Sequence, residues 1–275
     1  MAVLAMDTAT DALAVAVGSR GDSLASACLR VPRGHSRLLQ PTVAQLLTAA
    51  GIAPADLTGI CVGVGPGSYT GVRMAVSTAK AMATALGVPL YTVSTLVAIA
   101  NAAVVAEQGR VAVLPLLYAR RERAFGAVYT QVGADTSVDE AGATLIGDGG
   151  TDALHSAATV AAPPQVKSLA EWAEVATSLR QANWRIVTVH DLRSQKPQVQ
   201  TQLAEVIAVL HEASDAVADL ADVAPGIGPA LLRLTAAGAA EMVSGDAVHD
   251  VAPDYALAVE AEVKLAERSD PHGNR

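Results

Sequence analysis

The chain is poor in cysteine, in aromatic residues and in charge of either sign. Two cysteines, Cys28 and Cys61, stand among 275 residues. They supply no disulfide framework and no metal-ligand spacing; both lie in apolar, strand-like runs and read as buried, reduced side chains. Aromatic residues make up 3% of the sequence, too few for the stacking platform that holds single-stranded nucleic acid. Lys and Arg number 19 against 27 Asp and Glu, a formal net charge of −8. The chain as a whole therefore gains nothing from counterion release on a polyanion, and any RNA it serves is expected to be held by something else. The one dense basic stretch is Arg120, Arg121 and Arg123, read either as a solvated strand end or as a local basic patch. No apolar run approaches the ~18 residues of a membrane span. The start, MAVLAMDTAT, has no basic region and carries Asp7 early, unlike a secretory signal. A cytoplasmic chain without membrane contact is expected. The six histidines show no paired ligand spacing, and no G-x-S-x-G string occurs. No metal, no cofactor and no catalytic residue is expected.

What the sequence does have is apolar residues at 51% and a mean hydropathy of +0.35, which excludes disorder. The length allows one large domain or two small ones with a real core. Three short strands, Val3 to Thr8, Ala12 to Val17 and Ser23 to Leu29, read as an antiparallel meander. A helix from His35 to Ala50 follows, with Pro41 in its early turns and Gly51 at its end. Then come a strand from Thr58 to Val64, a helix from Tyr69 to Leu86, a strand from Val88 to Val93 and a helix from Ser94 to about Ala106. This order, β-β-β-α-β-α-β-α, describes a ribonuclease-H-like mixed sheet. The remainder reads as a weaker repeat: strands at Val111–Tyr118, Ala124–Gln131 and Ala143–Gly147, a loop at Val160–Pro164, a helix from Ser168 to Arg180, a strand from Trp184 to His190, a helix from Gln200 to His211 and another from Gly228 to Val243. The expected class is α/β, two ribonuclease-H-like subdomains of the actin/Hsp70/sugar-kinase kind. Residues 1–108 form the first subdomain, 109–245 a smaller degenerate second, and 246–275 a partly frayed end.

Three strings carry chemistry. Asp7, Thr8 and Thr10, at the turn after the first strand, are candidates for nucleotide phosphates; the competing reading is a satisfied hairpin turn, and Ala9 hinders close phosphate approach where Gly would permit it. Gly65, Pro66, Gly67 and Ser68 form a loop between strand and helix. Either it aims backbone N–H groups at an anion, or it is a tight turn with Ser68 as N-cap. Gly147-Asp148-Gly149-Gly150 reads the same two ways. The helix from Tyr69 to Leu86 is rich in small residues. Val72, Val76, Ala79 and Ala83 are expected to face the sheet, leaving small residues that let a second helix approach closely. With the helix from His35 it forms a candidate partner surface: Leu38, Leu39, Val43, Leu46, Gly71, Arg73, Met74, Ser77, Lys80 and Ala81.

Taken together, MDTAT, HSRLLQPTVAQLL, ICVGVGPGSYTGVRMAVSTAKAMA, VPLYTVSTL and LPLLYARRERAFGAVY resemble the bacterial TsaB (YeaZ) family of tRNA threonylcarbamoyladenosine biosynthesis proteins. The resemblance is strong to about residue 131. Beyond it, Val189-His190-Asp191-Leu192 stands where that family has V-G-D-G, and Pro253-Asp254-Tyr255 and Glu260 to Leu265 are similar to its ending. The resemblance implies a non-catalytic subunit that pairs with a TsaD-like catalytic subunit and a TsaE-like ATPase, forms a homodimer when alone, and meets tRNA only through the complex. TsaD-like chains carry V-N-H-L-x-x-H at Val93 to Ile99; Thr95 and Ile99 stand here in place of the two histidines. The alternative is an active nucleotide-dependent kinase or metallopeptidase-like hydrolase of the same superfamily.

Overall fold

A computed structural model describes residues 2–31, 34–103, 110–132, 159–193 and 197–254. The meander is present as β1 (Ala2–Asp7), β2 (Ala12–Ser19) and β3 (Asp22–Arg30), antiparallel with Ala5 opposite Ala16 and Ala14 opposite Cys28. After α1 (His35–Ala50) come β4 (Leu57–Gly63), α2 (Tyr69–Leu86), β5 (Leu90–Val93) and α3 (Thr95–Ala103). Strand β4 lies parallel to β1, and β5 parallel to β4. The second half supplies β6 (Arg110–Tyr118), β7 (Arg123–Val132), β8 (Thr159–Ser168), α4 (Leu169–Gln181), β9 (Arg185–Asp191), α5 (Pro197–Ala213) and β10 (Ala216–Asp219). The chain then runs through α6 (Leu220–Val223), α7 (Ile227–Ala236) and β11 (Glu241–Val243).

The two sheets repeat one plan. The first is ordered β3-β2-β1-β4-β5, with β11 added beside β5; the second is β8-β7-β6-β9-β10. In each, two antiparallel pairs precede two parallel ones.

Alternation along the first sheet sorts large from small. Leu4, Met6, Leu13, Val15, Val17, Ile60 and Val62 face α1 and α2 in one apolar cluster. Ala5, Ala14, Ala16 and Cys61 face the other way, beneath Ile227, Ala230, Leu231 and Leu234 of α7. That face carries small side chains, so α7 lies close: a Cβ on Gly228 would come 3.0 Å from the Cβ of Ala16. Leu96 and Ile99 of α3 join this cluster to Val111, Val113, Tyr129 and Val189 of the second sheet. The far face of the second sheet packs Leu114 and Leu116 against Trp172, Leu203 and Leu210 of α4 and α5.

Three expectations need correction. Val160–Pro164 is part of β8, paired with β7 through two register shifts. Pro163 and Pro164 fit there because β8 is an edge strand, where missing N–H groups cost nothing on the open side. The expected helix from Gly228 to Val243 ends at Ala236. Gly238, at φ +71, reverses the chain, with Gly238 N donating to Thr235 O at 3.2 Å and Ala239 N to Leu234 O at 2.9 Å, the two bonds of a Schellman end. The released chain then forms β11. For that reason the expected division at 245 does not follow the packing: α7 lies on β1, β2 and β3, and β11 extends the first sheet. The expected strand at Ala143–Gly147 lies outside the described residues.

Cys61, fully buried on β4 with its sulfur toward the Leu231 carbonyl, has its thiol pushed up to about 12, chiefly by burial. The thiolate is the reactive form. Alkylation of the native protein near pH 8 should therefore modify Cys28, which is half-buried, and spare Cys61 until denaturant is added. Mass spectrometry showing two adducts on the folded chain would contradict this packing.

Candidate functional site

Strand β1 ends in a buried carboxylate that organises the loops above the first sheet. Asp7 Oδ1 accepts from Ala9 N at 2.7 Å, and Oδ2 accepts from the Thr95 hydroxyl at 2.7 Å. That hydroxyl in turn accepts from Gly65 N at 3.1 Å, while Thr95 N donates to Gly65 O at 2.8 Å. The loop at 65–68 is thereby drawn onto the Asp7 turn. Ser68 N donates to Ala9 O at 2.6 Å, and the Thr8 hydroxyl donates to Gly71 O at 2.6 Å. Ser68 then caps α2, accepting from Gly71 N at 3.3 Å. The Gly65-Pro66 bond is cis.

This closeness is what the glycines permit. A Cβ on Gly67 would fall 2.3 Å from Ala9 O, and one on Gly71 would fall 2.0 Å from Thr8 O. No L side chain fits such gaps against backbone.

The arrangement corrects the phosphate reading of Asp7, Thr8 and Thr10. They are 1%, 0% and 7% exposed. The Thr8 hydroxyl is spent on Gly71 O, and the Thr10 hydroxyl accepts from Ala12 N at 3.2 Å. Gly65, Pro66, Gly67 and Ser68 form the tight turn, with the N–H groups of Gly65 and Ser68 already committed. Thr95, which sequence comparison marked only as a substituted ligand position, is the residue that ties turn and loop together. Its place directly after a strand end, level with Asp7 in the parallel β1-β4-β5 arrangement, was the available signal. Gly147–Gly150 and Glu260–Leu265 lie outside the described residues. Asp191, at the end of β9, sits 3.2 Å from the Arg193 guanidinium and forms no glycine turn.

The candidate partner surface is also narrower than expected. Leu39, Val43 and Leu46 of α1 are buried in the chain's own core, as is Gly71; Leu38 and Met74 are half-buried. The apolar excess of α1 is used to cover β2 and β3, while α2 covers β4 and β1. Lys80 is committed too: its ammonium donates to the His249 and Val251 carbonyls, fastening the segment at 245–251 along α2. The outward row is Tyr69, Arg73, Ser77 and Ala81, all exposed and four residues apart, hence one ridge of a helix. The Arg73 guanidinium lies 5.2 Å from the Tyr69 ring centre. Among the described residues no group of three His, Cys, Asp or Glu side chains is placed to hold a metal ion, and no helix is long and apolar enough to cross a membrane.

A family model described as TsaD, tRNA N6-adenosine threonylcarbamoyltransferase, matches residues 30–171. The chain belongs to this TsaD family. Within it the similarity is to TsaB. The Escherichia coli tRNA threonylcarbamoyladenosine biosynthesis protein TsaB is 36% identical over 129 residues, covering 47% of this chain and 55% of that one. TsaB of Bacillus subtilis is 40% identical over 96 residues, covering 35% and 42%. The chain thus spans about half the length of the curated relatives it matches. YeaZ from Pseudomonas aeruginosa superposes with a TM-score of 0.62 at 22% identity, over 92% of this chain and 99% of that one. A second structure from that organism, described as similar to peptidase YeaZ, gives 0.64 at 23%, over 93% and 99%. The fold is therefore α/β with two ribonuclease-H-like halves, and the motif resemblance and the relatives point to the same proteins.

Two outcomes follow from the sealed turn. Gly71→Ala would gain about 1 kcal/mol of helix propensity, yet its methyl must displace the Thr8 carbonyl. A net loss of about 3 kcal/mol or more is expected by urea unfolding; a neutral substitution would show that turn and loop are apart. Burial raises the Asp7 pKa above its ordinary 3.8, against the bonds from Ala9 and Thr95 that lower it. A raised folded pKa gives stability that is full below the unfolded value and lost as pH rises through the folded one. Relative to Asp7→Asn, the native chain should therefore lose stability as pH climbs above about 4. A difference independent of pH would mean that Asp7 is not buried.

Proposed function

We propose that the chain is a non-catalytic subunit of the cytoplasmic machinery that transfers a threonylcarbamoyl group to the adenosine beside the tRNA anticodon. Its partners on this reading are a TsaD-like catalytic subunit and a TsaE-like ATPase, with tRNA reached through the complex and a homodimer formed by the chain alone. The single observation that carries it is what fills the position of the metal-binding histidines of TsaD-like chains. Thr95 is spent on Asp7 and Gly65, and Ile99 is fully buried in the core between the sheets. Neither can take an imidazole's place on a metal. The kinase-like alternative needs hydroxyl and N–H groups free for phosphate at the first turn, and the Thr8 and Thr10 hydroxyls and the Ser68 N–H are committed. On this reading the partner meets the outward ridge of α2, which is exposed. Arg73, Ser77 and Ala81 carry the interface on this reading, small enough in the middle for a second helix to approach at the short end of ~8–10 Å.

Ser77→Arg puts bulk and charge at the centre of that ridge while leaving the core untouched. The monomer should stay folded. Association with itself and with a TsaD-like partner should weaken by about 3 kcal/mol, roughly a hundredfold, the scale of an unpaired buried charge. Sedimentation and partner capture measure it; unchanged affinity for both would place the interface elsewhere.

A further inference from the structure

After β11 the chain turns at Gly245, φ +61, and passes through a 3-10 turn at Gly245–Asp250 on its way to Asp254. These ten residues, GDAVHDVAPD, hold two large apolar side chains, Val248 and Val251. So little apolar surface does not order a segment by itself, and it is held by what it lies on. Three fastenings do this. Val248, 2% exposed, enters the cluster that contains Val72, Val76 and Ala83 of α2, and Val251 packs at the edge of that cluster. The Lys80 ammonium donates to the His249 carbonyl and, at 2.9 Å, to the Val251 carbonyl. Asp254 N donates to Val64 O at 2.7 Å, beside Gly65, where a Cβ would come 3.2 Å from Asp254 O. The segment is otherwise open: Asp246, Ala247, His249, Asp250, Ala252 and Asp254 are exposed.

Lys80 stands on α2 three residues from Ser77 and next to Ala81, turned about 60° around the helix axis from Ser77. The segment it holds is thus a wall along one edge of the ridge formed by Arg73, Ser77 and Ala81; half-buried Met74 and Thr78 mark the other edge. An ammonium donating to two main-chain carbonyls fixes the path of a backbone and leaves the side chains of the segment to face outward.

We infer that Lys80 is a positioning residue for partner binding, and that association along α2 is coupled to the docking of the 245–254 segment. This rests on the reading of the α2 ridge as the partner surface and adds what keeps that surface in order. Docked, the segment leaves the ridge clear and gives it a fixed edge. Released, it is a loose stretch beside the ridge that a partner would have to order again, at a cost in affinity. With few buried contacts it belongs to the part of the fold that opens locally. Coupling between two such events is reciprocal. A partner that binds the docked form better must also hold the segment docked.

The test uses the full-length chain, Lys80→Met, Lys80→Arg and Val248→Ser, each with and without the TsaD-like subunit of the same genome. Hydrogen exchange over residues 245–254 reads docking, and titration calorimetry reads affinity. Lys80→Met should speed exchange over the segment about tenfold while β1 and β2 keep native protection. Its affinity for the subunit should fall about tenfold, within the usual range of coupling between sites. Val248→Ser loosens the segment from its other fastening and should do the same, while Lys80→Arg, which can still donate to both carbonyls, should stay near native in both readouts. In the native chain the bound subunit should slow exchange over 245–254. A loosened segment with unchanged affinity, a loss of affinity in Lys80→Met but not in Val248→Ser, or native exchange that the subunit leaves unmoved would each overturn the inference. If a loosened variant does not fold, the exchange of the native chain with and without the subunit decides alone. Ser77→Arg, titrated alongside, separates the two readings: native affinity there removes the ridge as the partner surface, whereas lost affinity there with an indifferent segment overturns the coupling only.

Discussion

The structure depends on one buried carboxylate. Asp7 has lost its water, and burial alone would drive it toward the neutral form. It is held by two donors, the Ala9 amide and the Thr95 hydroxyl, and those bonds decide where the loops above the first sheet go. Thr95 faces Asp7 only if α3 starts directly after β5. Gly65 reaches Thr95 only if the chain leaves β4 in a sharp turn. Ser68 meets Ala9 only because Gly67 and Gly71 leave no Cβ in the way. Burial keeps the charge costly on balance, and the two donors that offset part of that cost also fix the course of the chain after β1 and after β5.

The small side chains have the same physical logic on two scales. Along the sheet, Ala5, Ala14 and Ala16 let α7 lie close to the strands. On α2, Ser77 and Ala81 leave the outward ridge low, while Val72, Val76 and Ala83 hold the inner side in the core. Close approach of backbones is thus used twice, once to finish the fold and once, on our reading, to receive another chain.

Much of this was legible in the sequence, for identifiable reasons. The meander, α1, β4, α2 and β5 announce themselves because each has its own period and stop signal: alternation in β1 and β2, a 3.6-residue stripe in α1, glycine ends at Gly51 and Gly87. Ser68 could be named as a cap, and Val72, Val76, Ala79 and Ala83 as the inner face of α2, from spacing alone. Two kinds of element were lost. Edge strands are specified by pairing more than by composition, so the prolines of β8 read as a loop and three-residue β11 as the end of a helix. Residues whose role is set by a distant strand end were misread as well. Leu39, Val43 and Leu46 looked surplus until β2 and β3 were laid beneath them, and Lys80 looked free until the segment at 245–251 was laid beside it; Asp7, Thr8 and Thr10 read either as phosphate candidates or as a satisfied turn, and their side-chain bonds fit the second reading.

The duplicated plan gives a direct comparison within one molecule. Two topologically equivalent turns began with the same position at the head of a meander, and they differ in what surrounds them. The first lies under a glycine-rich strand-to-helix loop; Asp7, Thr8 and Thr10 are buried with their side chains hydrogen-bonded, and Asp11 is exposed. The second is followed by β8 and α4, whose nearest contribution is one amide, Leu169 N, taken by the Glu122 carbonyl. Arg120, Arg121 and Glu122 are exposed. A covered polar turn whose side chains are hydrogen-bonded within the chain holds the fold together. The uncovered turn is held by its own main chain, Arg123 N donating to Arg120 O at 3.1 Å and Ala119 N to Arg123 O at 2.8 Å, so its shape does not depend on a loop folding over it.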